Sequence, residues 1–94
     1  MTVTLPAEIP VLYATEHAKD PTVYAAYTHP GMGWGWFVTE YDGEARFFGL
    51  VAGFETELGY FSREELEANG CTLDPDLTPK LLSSVRQMLA EAHR

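Results

Sequence analysis

Thiol chemistry is almost missing from this chain of 94 residues, whose one cysteine is Cys71. It can close no internal disulfide and has no Cys-x-x-Cys partner, which fits a reducing compartment. Residues 1–10 lack the basic and apolar stretches of a secretory leader, so the expected location is the cytoplasm. No apolar run approaches the roughly 18 residues of a membrane span. Basic residues are scarce, six Lys and Arg against fourteen Asp and Glu, and the net charge of −8 repels nucleic acid phosphates and anionic lipid surfaces. Direct binding to nucleic acid or to a membrane is therefore not expected. Nucleophile motifs are lacking too: no Gly-x-Ser-x-Gly elbow occurs, Ser62 reads as a helix cap, and Ser83 and Ser84 fall in the last helix. His17, His29 and His93 are far apart and form no zinc spacing with Cys71. Gly31, Gly33 and Gly35 follow no Rossmann strand and precede no helix, so they read as a loop and not as a phosphate cradle. Asp74 and Asp76 fall short of the ligand count that calcium requires. The expectation is a protein with no catalytic residues, no cofactor and no metal.

What is present is a folding pattern. Hydrophobic residues make up 46% and aromatic residues 13% of the chain, enough apolar surface to oppose the entropy of ordering it. At this length one core is expected, so residues 1–94 read as a single domain. Asp42-Gly43 separates two strand-like runs, 34–41 and 44–51, and suits the positive φ angles of a two-residue type I′ turn. That register sets Tyr41 opposite Glu44, Val38 opposite Phe47, Phe37 opposite Phe48, and Trp36 over the bare Gly49. It puts Trp34, Trp36, Val38, Phe47 and Val51 on one face, with Phe37, Phe48 and Leu50 on the other. Residues 54–61 alternate as a third strand and residues 22–28 as a short one. The pattern predicts an α+β fold with a four-stranded antiparallel meander. Ser62-Arg63-Glu64-Glu65 reads as a capping box, with Phe61 and Leu66 as a hydrophobic staple, opening a short helix that runs to Asn69 and closes at Gly70. Thr78-Pro79 reads as the start of a C-terminal helix whose stripe of Leu82, Val85, Met88, Leu89 and Ala92 packs on one sheet face. Residues 6–14, broken by Pro10, predict a turn or short helix over part of the core.

Four strings carry a family likeness: Leu12-Tyr13-Ala14-Thr15-Glu16, Trp34-x-Trp36-Phe37-Val38-Thr39-Glu40, Phe47-Phe48-Gly49-Leu50-Val51 and Glu57-Leu58-Gly59-Tyr60-Phe61-Ser62, the last followed by Glu65-Leu66. Together they resemble a bacterial and mobile-element family known as domain of unknown function 2958. The resemblance spans most of the chain. It departs at Leu73-Asp74-Pro75-Asp76, where the family reads closer to Ile-Glu-Arg-Asp before a leucine-rich helix. The resemblance implies a small accessory protein carried by plasmids, integrative elements or phages, and it brings no established activity.

The charge is uneven along the chain. Residues 40–67 hold Glu40, Asp42, Glu44, Glu55, Glu57, Glu64, Glu65 and Glu67 against Arg46 and Arg63, and so carry −6 of the −8. The leading expectation is a non-enzymatic protein whose acidic hairpin side docks on a basic protein surface through Glu40, Asp42, Glu44, Glu55 and Glu57, with Trp34, Trp36 and Tyr60 as aromatic contacts. In a mobile-element setting that partner is a host nucleic-acid-handling or defence complex, and an anti-CRISPR protein acting by charge mimicry is one form this takes. The competing expectation is a small-molecule-binding protein or enzyme, with an aromatic pocket and Glu57 and Arg46 as polar contacts across neighbouring strands. The same aromatics also suit a filled core, and a free sheet edge suits a homo-oligomer.

Overall fold

A computed structural model describes residues 5–92, so His93 lies outside the described residues. The fold is α+β. Its elements run β1 (Thr22–Val23), β2 (Ala25–Thr28), β3 (Gly35–Tyr41), β4 (Arg46–Ala52), β5 (Thr56–Ser62), α1 (Arg63–Ala68), β6 (Thr72–Leu73), β7 (Lys80–Leu81) and α2 (Leu82–Ala92). The main sheet has five strands in the order β5-β4-β3-β2-β6, and β1 pairs with β7 in a separate two-stranded ribbon. The expected meander is there as β2 to β5, every pairing antiparallel. The strand count of four is corrected to five by β6, whose two residues are too short to show a period.

The hairpin between β3 and β4 also departs from expectation. Its loop spans residues 42–45, with the Asp42 N–H donating to the Arg46 carbonyl. Asp42 Oδ1 accepts from the N–H groups of Glu44, Ala45 and Arg46 at 2.8, 2.8 and 3.1 Å, so its carboxylate organises the wider loop that a two-residue turn would forbid. Gly43 supplies the left-handed residue at φ 88°. Val38 then faces Gly49, Phe37 faces Leu50 and Trp36 faces Val51. Up to Val38 the register is offset by two residues from the expected one, which leaves those side chains on their expected faces; beyond it Tyr41 faces Phe47, an offset of three.

A bulge at Thr39 breaks the alternation of β3. Val38 and Tyr41 lie on one face of the sheet, whereas Glu40, opposite Phe48, is turned to the other. The fully buried Thr39 donates its hydroxyl to the Phe48 carbonyl at 3.1 Å. Gly49 makes this approach possible: a Cβ built there falls on the Phe37 carbonyl group, 2.8 Å from its carbon and 3.2 Å from the Thr39 nitrogen. Trp36 does not cover Gly49; the backbone of β3 does.

The sheet separates two apolar clusters. On the α1 face, Ala25, Tyr27, Val38, Phe47, Leu66 and Cys71 pack together, with Leu5 and Ile9 from the N-terminal segment against them. On the α2 face, Val23, Leu50, Leu82 and Val85 form a smaller cluster with Phe37, Leu77 and Leu89. Residues 6–14 cover the first cluster through turns and not a helix, and the Pro10 carbonyl accepts from the Tyr41 N–H at 2.9 Å.

Both helices are capped by side chains. Ser62 Oγ accepts from the Glu65 N–H at 3.3 Å, as expected of a cap. At the other end of α1, Gly70 (φ 80°) donates to the Glu67 carbonyl and Cys71 to the Leu66 carbonyl, a Schellman closure one residue past the cap Asn69. For α2 the expected start at Thr78-Pro79 is corrected. Lys80 and Leu81 are extended against β1, and Asp20, 63 residues away in sequence, accepts from the Ser83 N–H at 2.8 Å and the Ser83 hydroxyl at 2.7 Å. The inward stripe is accordingly Leu82, Val85 and Leu89, with Met88 half exposed.

Candidate functional site

The five expected carboxylates do not form one surface. Successive turns of a meander lie at opposite ends of its strands, so Asp42 and Glu44 sit at one end of β4 and Glu55 and Glu57 at the other. The seven residues of β4 hold the two groups about 24 Å apart. Arg46 pairs with Ser62 and Glu57 with Val51, which sets Arg46 and Glu57 about 17 Å apart along the sheet. The expected cross-strand contact between them, and a pocket built on it, is thereby corrected.

Glu40 is not a surface residue. It is 3% exposed, and its carboxylate accepts from the Tyr13 N–H at 2.7 Å, the Thr15 N–H at 2.8 Å and the Thr15 hydroxyl. Tyr13 adopts φ 71°, the left-handed region that a side chain resists; there its N–H and that of Thr15 converge on one carboxylate. Glu40 thus anchors the N-terminal segment to the sheet. The first two family-like strings meet at this contact.

Asp42 spends its carboxylate on its own loop, and those three N–H donors hold it below its ordinary value of 3.8. Glu44 is exposed beside it. Among the described residues the one ion pair joins Arg63 and Glu67, at 3.0 Å, so the exposed Glu44, Glu55 and Glu57 have no basic partner among those residues.

At the far end, Trp34, Trp36, Glu55 and Glu57 do come together. The Trp34 ring lies over Gly53, whose missing Cβ would stand 2.7 Å from it. Phe54 meets the same ring edge-on at 5.1 Å and is 94% exposed; Trp36 is 6.1 Å away on the inner side. Met32, 56% exposed, extends the patch, on a loop where His29 Nδ1 accepts from the Gly31 and Met32 N–H groups at 3.1 Å each. A shallow depression of about 370 Å³ runs between Trp34, Phe54, Glu55 and Glu57. Phe54 was legible only as a strand residue. The signal for its role is an aromatic directly after Gly53 at a turn, where no sheet face exists to bury it.

Tyr60 belongs to a different place. It stacks edge-on against Phe48 at 4.9 Å and lies 6.2 Å from Tyr13, and the neighbouring Tyr13 hydroxyl pushes its own hydroxyl above the ordinary value. With Leu58, Leu82, Lys19 and Arg86 it lines an open groove of about 640 Å³ on the α2 face. Among the described residues no cluster of three His, Cys, Asp or Glu side chains is placed to hold a metal ion, and no helix is long and apolar enough to cross a membrane. Set against known families, curated proteins and solved structures, the chain matches none.

Proposed function

We propose that this is a non-enzymatic interaction protein that docks on a basic protein surface through the end of the sheet bearing Trp34, Phe54, Glu55 and Glu57. The observation that carries the reading is Phe54, a large apolar ring held almost wholly in water against Trp34 and flanked by two carboxylates without a basic neighbour among the described residues. An exposed aromatic pair supplies contact area at small entropic cost, and the carboxylates steer a cationic partner toward it. Lysine and arginine side chains suit both parts, stacking on the ring while pairing with Glu55 or Glu57. The resemblance to a mobile-element family adds a partner class, a host nucleic-acid-handling or defence complex with a basic groove. The groove beside Tyr60 favours a second reading, a small-molecule site on the α2 face, with Lys19 and Arg86 as its cations.

The test pairs Phe54→Ser and the double variant Glu55→Lys, Glu57→Lys with the wild type in titrations against a lysine- and arginine-rich peptide, followed by NMR. Docking expects shifts centred on the Trp34 indole N–H that both variants abolish. Shifts centred on Tyr60 and Leu58 instead favour the groove, and no shifts with any basic probe overturn the docking reading.

A further inference from the structure

The two edges of the main sheet are treated differently by the chain. β6 is two residues long and runs into Asp74-Pro75, where the proline removes a donor and ends pairing. At the opposite edge β5 has seven residues, Thr56–Ser62, with no proline, no lysine and one charge, Glu57. Leu58 and Tyr60 on it are 48% and 50% exposed. A long edge strand without these guards is a template for another strand.

The hydrogen bonding of the ladder says which groups the edge offers. The Arg63 N–H donates to the Ala45 carbonyl at 2.8 Å and the Gly53 N–H to the Glu55 carbonyl at 3.1 Å, bracketing the β4–β5 pairing. Bonding alternates along an antiparallel pair, so residues 57, 59 and 61 turn their backbone groups toward β4 and residues 56, 58, 60 and 62 turn theirs outward. We infer that β5 pairs antiparallel with β5 of a second copy of this chain, with Gly59 on the two-fold axis. Among possible registers this one uses the whole strand: Thr56 meets Ser62 of the second copy, Leu58 meets Tyr60, and the relation repeats by symmetry. All four outward residues then bond, giving roughly eight backbone hydrogen bonds.

The side chains agree with that register. Each half-exposed Leu58 lies opposite a half-exposed Tyr60, an apolar–aromatic cross-strand pair made twice. The two Glu57 carboxylates fall four residues apart, about 14 Å, beyond the screening length of about 8 Å at physiological salt. Seven residues a side is small against the usual 20–30, so the dimer is a concentration-dependent one. The inference stands apart from the docking reading, because Trp34 and Phe54 remain free at the ends of the joined sheet.

Sedimentation velocity over a wide concentration series tests it. The wild type should pass from 10.5 kDa toward twice that mass. Leu58→Pro removes an outward N–H and leaves the β4 ladder intact, so it should stay folded by circular dichroism and remain monomeric. Gly59 has room for a side chain, since an added Cβ there meets nothing within 4 Å. Gly59→Lys and Gly59→Glu should each weaken self-association at least tenfold, because like charges face each other on the axis, and a mixture of the two should form heterodimers. A wild type that stays monomeric at every concentration overturns the inference, and so does a dimer that Leu58→Pro leaves unchanged. Gly59 variants that behave alike whether mixed or separate overturn the register.

Discussion

Glu40→Gln tests the least expected contact in the molecule. The native carboxylate takes three donors: two backbone N–H groups at 2.7 and 2.8 Å and the Thr15 hydroxyl. Glutamine keeps one acceptor oxygen and turns an NH2 group toward the remaining donors, so one backbone bond is lost and the survivor no longer has a charged acceptor. Hydrogen bonds to a charged group contribute about 1.5–3 kcal/mol each, which sets the loss at about 2–3 kcal/mol if the segment stays docked. Detachment limits it. Freeing Tyr13 from φ 71° returns about 1–2 kcal/mol, and each residue released regains about 1–2 kcal/mol of backbone entropy. The expected outcome is a local opening of residues 11–17, together with a fall in Tm of roughly 8–16 °C for a global loss near 2 kcal/mol. Urea denaturation measures the global part, and amide hydrogen exchange at Tyr13 and Thr15 measures the local part. Unchanged protection at both amides, with Tm within a degree of the wild type, would refute the anchoring role.

Three further outcomes follow from the same geometry. Gly49→Ala should cost several kcal/mol or prevent folding, since its Cβ meets backbone that cannot swing aside; far-UV circular dichroism and expression in the soluble fraction check it. Asp20 and Asp42 both have carboxyl values held below 3.8, Asp20 chiefly by the Ser83 hydroxyl and Asp42 chiefly by the Arg46 N–H. A depressed folded value gives stability that is full above 3.8 and lost as pH falls through the folded value, so Tm should drop below about pH 4, and Asp20→Asn should flatten part of that drop in a pH series of melts. Burial pushes the Cys71 thiol up, so a disulfide reagent at pH 7 should label it slowly when the protein is native and fast in urea, with absorbance as the readout.

The faces of the hairpin, the Ser62 cap and the closure at Gly70 were legible because each is local: a period of two, a hydroxyl three residues before its donor, a glycine just past a helix. The register was not. Asp42-Gly43 is compatible with a two-residue turn, and the wider loop is decided by three N–H groups reaching one Asp42 oxygen. The bulge at Thr39 was hidden for a related reason, since it depends on Gly49 on the neighbouring strand allowing the backbones to close. From that one irregularity comes the misplacement of Glu40, which regular alternation cannot turn to the α2 face. Asp20 capping a helix 63 residues later is a tertiary fact with no local trace. At the candidate site, Trp34, Glu55 and Glu57 lie together, whereas Asp42 and Glu44 belong with them only by sequence proximity that a meander undoes.

The division of the interior by the sheet bears on how the molecule opens. The α2-side cluster rests on a few side chains, a two-residue strand pairing and the contact between Asp20 and Ser83. The larger cluster shares none of its buried residues with it. Cooperativity is therefore divisible: α2, β1 and β7 form one unit that can lift away while the meander and α1 hold together. Such an excursion bares Leu50 and Phe37, and it leaves Val38 and Phe47 dry. Exchange of the α2 amides should then proceed through a smaller opening free energy than exchange along β3. A protease that cuts native protein would find its first foothold near residues 74–79, where the chain passes between the two units.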